Sequence, residues 1–224
     1  MKKIILVAGL VAFSQAVSAH TGLLPTDGFS HGFQHPFLGL DHFLAMLGLG
    51  LWASSQSGRL AKQAIGVFLL FMAAGALLGL AGVGFAYVET AILVSLLSVG
   101  ITLSFGTTPI VPTLQRGNSV RNAPALRGDA GASNTAFPRR SVGTIITLAS
   151  IAFFAAMHGL AHGSEVPVDA STYAYIAGII SGTAVLHFSG LALGLIARRI
   201  NAAGLIRVYG TLAGMIGAWL LFAA

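Results

Sequence analysis

Residues 65–80 read IGVFLLFMAAGALLGL, apolar on every side, with no charge and no hydroxyl. A helix of a soluble domain keeps a polar face, and a barrel strand alternates polar with apolar residues. This run does neither, so the solvent that suits it is the hydrocarbon of a bilayer. The rest of the chain agrees: its 224 residues are 55% hydrophobic and only 8% charged, more apolar surface than a soluble domain of this size could hide. Working outward, the quoted run belongs to a stretch at 64–84, and further stretches at 37–53, 91–110, 142–162, 173–197 and 205–223 are also long and apolar enough to cross. The expected fold is all-α, a polytopic membrane helix bundle of about six transmembrane helices following an N-terminal signal peptide.

The signal peptide is expected over residues 1–19. Lys2 and Lys3 open it, an apolar stretch over 4–13 follows, and Val17, Ser18 and Ala19 form a small-residue cleavage site. Cleavage leaves His20 as the mature N-terminus, on the extracytoplasmic side. Residues 20–110 then hold the outer tail and the first three spans, 111–140 a flexible cytoplasmic linker rich in Pro, Gly, Asn, Ser and Arg, and 141–224 the last three spans.

Charge fixes direction. Arg59 and Lys62 follow the first span, Arg116, Arg121, Arg127, Arg139 and Arg140 follow the third, and Arg198, Arg199 and Arg207 lie between the fifth and sixth. Every second connection is therefore basic, which makes those connections cytoplasmic and places the mature N-terminus and the C-terminus outside a bacterial inner membrane. The net charge of +6 is scattered between apolar spans instead of forming a patch, so nucleic acid is not an expected partner. Three spans per half make the halves run in opposite senses, as in inverted-repeat transporters. Glycine pairs at 75/79, 178/182, 190/194 and 210/214 suit close helix packing and are compatible with a homo-oligomer, without marking any one dimer face.

The chain has no cysteine, so any metal ion must be held by nitrogen, oxygen or thioether sulfur. Six of its seven histidines fall in the outer tail or near the outer ends of the first and fourth spans, and five of these form two clusters. The first, HGFQHPFLGLDHFLAM over 31–46, offers His31, His35, Asp41, His42 and Met46. Pro36 suits the first turn of a helix. On one continuous helix His35 and His42 would share a face to within about 20°, Met46 would follow His42 one turn on, and Asp41 would point about 100° away. Asp41 could then reach a neighbouring helix or fix an imidazole tautomer through a hydrogen bond. The second cluster, MHGLAHGSE over 157–165, would set His158, His162 and Glu165 within a wedge of about 60° if the helix ran through it, and Gly163 is a candidate to unwind its last turn. The four residues from His42 echo the four from His158, which reads as two contributors to one site.

Ionisable groups at a helix centre cost roughly 2.5 to 3.5 kcal/mol each on insertion scales, so the two clusters together point to a metal or proton role. Other positions stay open between two readings. His20 and His31 are either solvated tail residues or early ligands for an ion. Glu89 is either a helix N-terminal carboxylate or a further ligand at the outer entrance of the third span. His187, deep in its span and without an ionisable neighbour, reads as an interhelical hydrogen-bond partner. An enzyme is not expected: His158 and His162 have zinc-protease spacing, but Gly159 stands where HExxH carries its general base. A histidine-rich membrane oxidase and a metal-sensing subunit are the alternatives to transport. No P-loop is present, so ATP hydrolysis is not expected.

The stretch from His35 through Asp41 and His42 to Met46, together with His158 to Glu165 and the AHTG start at 19–22, strongly resembles the HupE/UreJ family of nickel and cobalt permeases. The resemblance covers essentially the whole chain. It implies a permease importing nickel or cobalt as transported substrate, with no resident cofactor. It also implies functional weight for His35, Asp41, His42, Glu89, His162 and Glu165. The Arg-rich linker is longer than the family usually shows.

Overall fold

The structure, a computed structural model, describes residues 28–106, 142–166 and 171–223. The expected signal peptide, His20 and the expected linker lie outside these residues. The described elements are all helices: α1 (Gly28–Leu38), α2 (Leu40–Ala53), α3 (Gly58–Leu80), α4 (Val88–Ser104), α5 (Val142–Ser164), α6 (Thr172–Arg199) and α7 (Gly204–Ala223). Helices α3, α5, α6 and α7 are each long and apolar enough to cross a membrane, and α1 with α2 qualifies as one broken span. Helix α4 is apolar but has 17 residues. At 1.5 Å per residue it covers about 26 Å, just short of the ~30 Å of hydrocarbon.

Local sequence explains where several helices stop. Ser57 caps α3 by accepting from the Leu60 N–H. Gly82, at φ 81°, closes the other end of α3, with the Val83 N–H bonded to the Leu78 carbonyl and the Gly82 N–H to that of Gly79. Asn201, at φ 57°, does the same for α6, where the Ala202 and Asn201 N–H groups bond the Ala197 and Arg198 carbonyls. Both are left-handed C-terminal caps, one made by glycine and one by the residue that tolerates that conformation next best.

The first span differs from the continuous helix that the sequence suggests. It is two helices meeting at 81°, with Pro36 inside the last turn of α1 instead of opening a span. Gly39 is extended (φ −79°, ψ 116°) and forms the corner. Pro36 has no N–H to bond the preceding turn, which weakens α1 just before the break. Its ring is buried, close to Gly182 of α6. A side chain at Gly39 would press on the Asp41 carboxylate and the His42 ring, so glycine there leaves those two groups room.

Three seams organise the bundle: α1 and α2 on α6, α3 on α5, and α4 on α7. Glycine sets the spacing in each. A Cβ on Gly32, Gly178 or Gly190 would strike the backbone across the first seam, on Gly75, Gly159 or Gly163 that of the second, and on Gly100 that of the third. Exchanging the two halves of the chain carries the first seam onto the second and the third onto itself. This is the pattern that oppositely directed halves produce when they pack about a two-fold axis.

The apolar core gathers Met46, Leu49, Phe68, Met72, Tyr175, Ile179 and Leu186 from α2, α3 and α6. Many outward-facing side chains are apolar too, among them Leu70, Ile101, Leu195 and Phe222, as lipid contact requires.

Candidate metal centre

The 81° corner does what a straight helix was expected to do by periodicity. His35, in the last turn of α1, is turned back onto His42, in the first turn of α2, and their rings stand edge to face at 5.9 Å. The last turn of α5 adds His162, whose ring lies 4.7 Å from His35 and 4.8 Å from His42. One ligand atom from each of the three histidines lies within 4.8 Å of the others. Three nitrogens each about 2.1 Å from one ion and equidistant from one another stand no more than about 3.6 Å apart, so the rings must close by about an ångström to share an ion.

Hydrogen bonds decide which nitrogen is offered. The Asp41 carboxylate oxygen lies 3.0 Å from His42 Nδ1. A carboxylate accepts, so Nδ1 carries the proton and Nε2 presents its lone pair. A carboxylate behind a metal-facing imidazole orients the ring and makes it a better ligand. His158, one turn below His162 on α5, stands edge to face 5.3 Å from His42 and donates from Nδ1 to the Phe154 carbonyl at 2.9 Å, again leaving Nε2 free to accept. His158 and His162 are 0% and 1% exposed. Among the described residues His42 Nε2, His158 Nε2 and both nitrogens of His162 are buried without a hydrogen-bond partner. Each such group costs about 1 to 3 kcal/mol in lost hydration, and several converging on one small volume ask for a common partner. A cation would satisfy the lone pairs, one from each ring, while the other nitrogen of His162 carries that ring's proton.

The other sequence candidates fall around this core. Glu89, in the first turn of α4, and Glu165, just past the end of α5, are exposed, and their charges act on His42 from the rim. Glu165 therefore does not continue a helical face from His158 and His162, because α5 ends at Ser164. Gly163 does not unwind that helix either. It lies flat on the Ala76 backbone, and this contact holds His162 against α3. His31, half-buried on α1, meets the Tyr175 ring edge-on at 5.7 Å. The Met46 side chain packs in the apolar cluster, and its carbonyl accepts from His187 Nδ1 at 2.8 Å. That bond is the interhelical role expected of His187.

Tyr175 escaped the sequence reading. It is 1% exposed in the first turn of α6, and its hydroxyl lies 3.4 Å from His35 Nδ1. The available signal was weak: Tyr173 and Tyr175 both open the span, and only packing shows that Tyr173 is 79% exposed while Tyr175 turns inward.

The fold and this interior cluster define a multi-pass helical membrane protein with imidazoles from separate elements gathered at one end of the bundle. A family model described as HupE / UreJ protein matches residues 8–119 and 135–220. The chain is also 31% identical over 221 residues to Protein HupE of Rhizobium leguminosarum bv. viciae, covering 98% of this chain and 97% of that protein. It belongs to the HupE/UreJ family. No solved structure matches it.

Proposed function

We propose that this chain is a permease that carries a divalent transition-metal ion, nickel or cobalt, inward across a bacterial cytoplasmic membrane. The observation that carries the reading is the convergence of His35, His42 and His162 to within 4.8 Å. Family membership supports transport over catalysis, and the geometry agrees. The Asp41 carboxylate is paired with a clustered histidine, His42, and Glu89 and Glu165 lie exposed at the rim. A di-iron oxidase needs several carboxylates at the metal.

Imidazole backed by a carboxylate suits borderline ions such as Ni(II) and Co(II). The described basic residues, Arg59, Lys62, Arg198, Arg199 and Arg207, lie at the start of α3, the end of α6 and the start of α7, the end of the bundle away from the cluster. Basic ends stay cytoplasmic, so the histidine end faces outward and receives the ion. Glu89 and Glu165 attract the hydrated cation, and His31, with the tail that begins at His20, hands it on. His35, His42 and His162 then replace its water. The ion is cargo, so the ligands must bind it weakly enough to release it.

The test uses purified protein in liposomes loaded with a metal-quenched dye. Quenching that depends on the protein, ranked across nickel, cobalt, zinc and copper, supports the reading and names the ion. Protein that binds nickel or cobalt in detergent but leaves the dye unquenched would be a sensor or receptor.

A further inference from the structure

One buried histidine has no part in the cluster. His187 lies midway along α6, is 0% exposed, and faces α2 and α3. Its Nδ1 is 2.8 Å from the Met46 carbonyl. A carbonyl can only accept, so Nδ1 holds the ring proton and Nε2 is a lone-pair acceptor. That Nε2 is buried and has no hydrogen-bond partner among the described residues. The nearest polar neighbour on the same face of α6, the Thr183 hydroxyl one turn away, is engaged elsewhere, donating to Met72 Sδ at 3.7 Å.

The surroundings connect this nitrogen to the cluster. The Phe68 ring of α3 contacts two imidazoles, at 5.8 Å from His158 and 4.8 Å from His187. Ring contacts therefore connect His35 and His162 to His42, His42 to His158, and both His158 and His187 to Phe68. His158 and His187 share one construction: Nδ1 is tied to a backbone carbonyl, and Nε2 is held bare in the interior. A purely structural histidine at 187 would need only the donor. An asparagine amide reaches as far and supplies it without leaving a second polar atom unpaired.

We propose that His187 Nε2, midway along α6 and beside Phe68, is an inner station for the divalent cation, so that the ion crosses the bundle in at least two bound steps. The proposal rests on the permease reading. Multi-site passage is how a channel or carrier combines favourable entry with release. Imidazole selects nickel, cobalt and their neighbours over magnesium and calcium, so a second imidazole also filters the ion twice.

Two substitutions separate the readings. His187→Asn keeps a donor for the Met46 carbonyl and removes Nε2, and His187→Gln places a polar group near the Nε2 position. In proteoliposomes His187→Asn is expected to slow nickel or cobalt uptake at least tenfold, with His187→Gln in between, while the affinity of the detergent-solubilised protein for the first ion stays within twofold of the parent. Uptake by His187→Asn within twofold of the parent would overturn the inner station and leave the permease reading intact, whereas a parent protein that fails to transport would overturn the permease reading itself. If His187→Asn does not yield folded protein, cobalt-edge anomalous diffraction from the parent decides. Density about 2.1 Å from His187 Nε2 supports the station, and density at the outer cluster alone at saturating cobalt removes it.

Discussion

The two ends of this bundle hold most of its polar chemistry, and they hold it in opposite ways. At one end His42, His158 and His162 are drawn inward from α2 and α5, with His42 fixed by Asp41 and His158 by the Phe154 carbonyl, and all three keep buried nitrogens without a hydrogen-bond partner among the described residues. At the other, Arg59, Lys62, Arg198, Arg199 and Arg207 are all exposed. Exposed charges at helix ends orient a membrane protein without needing defined partners. Buried imidazoles are expensive unless something binds them. The contrast teaches that position, more than residue type, separates a site from an anchor: both ends are rich in basic side chains, but only one converges.

Substitutions should split along that line. The largest effect is expected from His42→Ala or His162→Ala, each of which removes a nitrogen from the three-histidine group. Uptake should fall at least about 100-fold, more than loss of a supporting residue usually costs. A variant retaining a tenth of parental uptake would show that the two remaining histidines suffice. Asp41→Asn comes next. The amide oxygen can still accept from His42 Nδ1 but without charge, so ion affinity measured by equilibrium dialysis should weaken about 10- to 100-fold. Acidification acts on the same end. Imidazole binds a metal only when neutral, and its ordinary pKa is about 6.5. Protons therefore compete with the ion for these nitrogens, and uptake should fall between pH 7.5 and 5.5. A flat profile over that range would detach these histidines from the ion.

The sequence reveals this contrast unevenly. Helix type and the spans matching α3, α5, α6 and α7 are legible from continuous apolar runs, because in lipid the backbone must satisfy its own hydrogen bonds and leaves few alternatives. The histidine clusters are legible because polar groups stand out in such runs. What could not be read is the corner at Gly39. A proline and a glycine three residues apart fit both a helix start and a break, and only contact with α6 selects the break. The same blindness hid Tyr175 and the packing role of Gly163, since facing surfaces are set by partners distant in sequence. His35 and His42 do meet, though by a fold in the chain and not by helical periodicity.

The smallest expected effect tests the anchor end. Arg198 and Arg199 close α6, where they complement the helix dipole and neighbour the left-handed cap at Asn201. Neither contributes to the histidine group, and both are exposed. Replacing both with glutamine removes two of the basic charges at that end but leaves Arg59, Lys62 and Arg207, with Arg116, Arg121, Arg127, Arg139 and Arg140, to hold orientation. Uptake per correctly inserted molecule should therefore stay within about twofold of the parent, an effect no larger than a few tenths of a kcal/mol of dipole stabilisation would produce. Normalising to inserted protein matters, because a topology defect would lower total uptake without touching the ion path. A normalised loss of tenfold would place these arginines on the exit route, and the division between a binding end and an anchoring end would fail there.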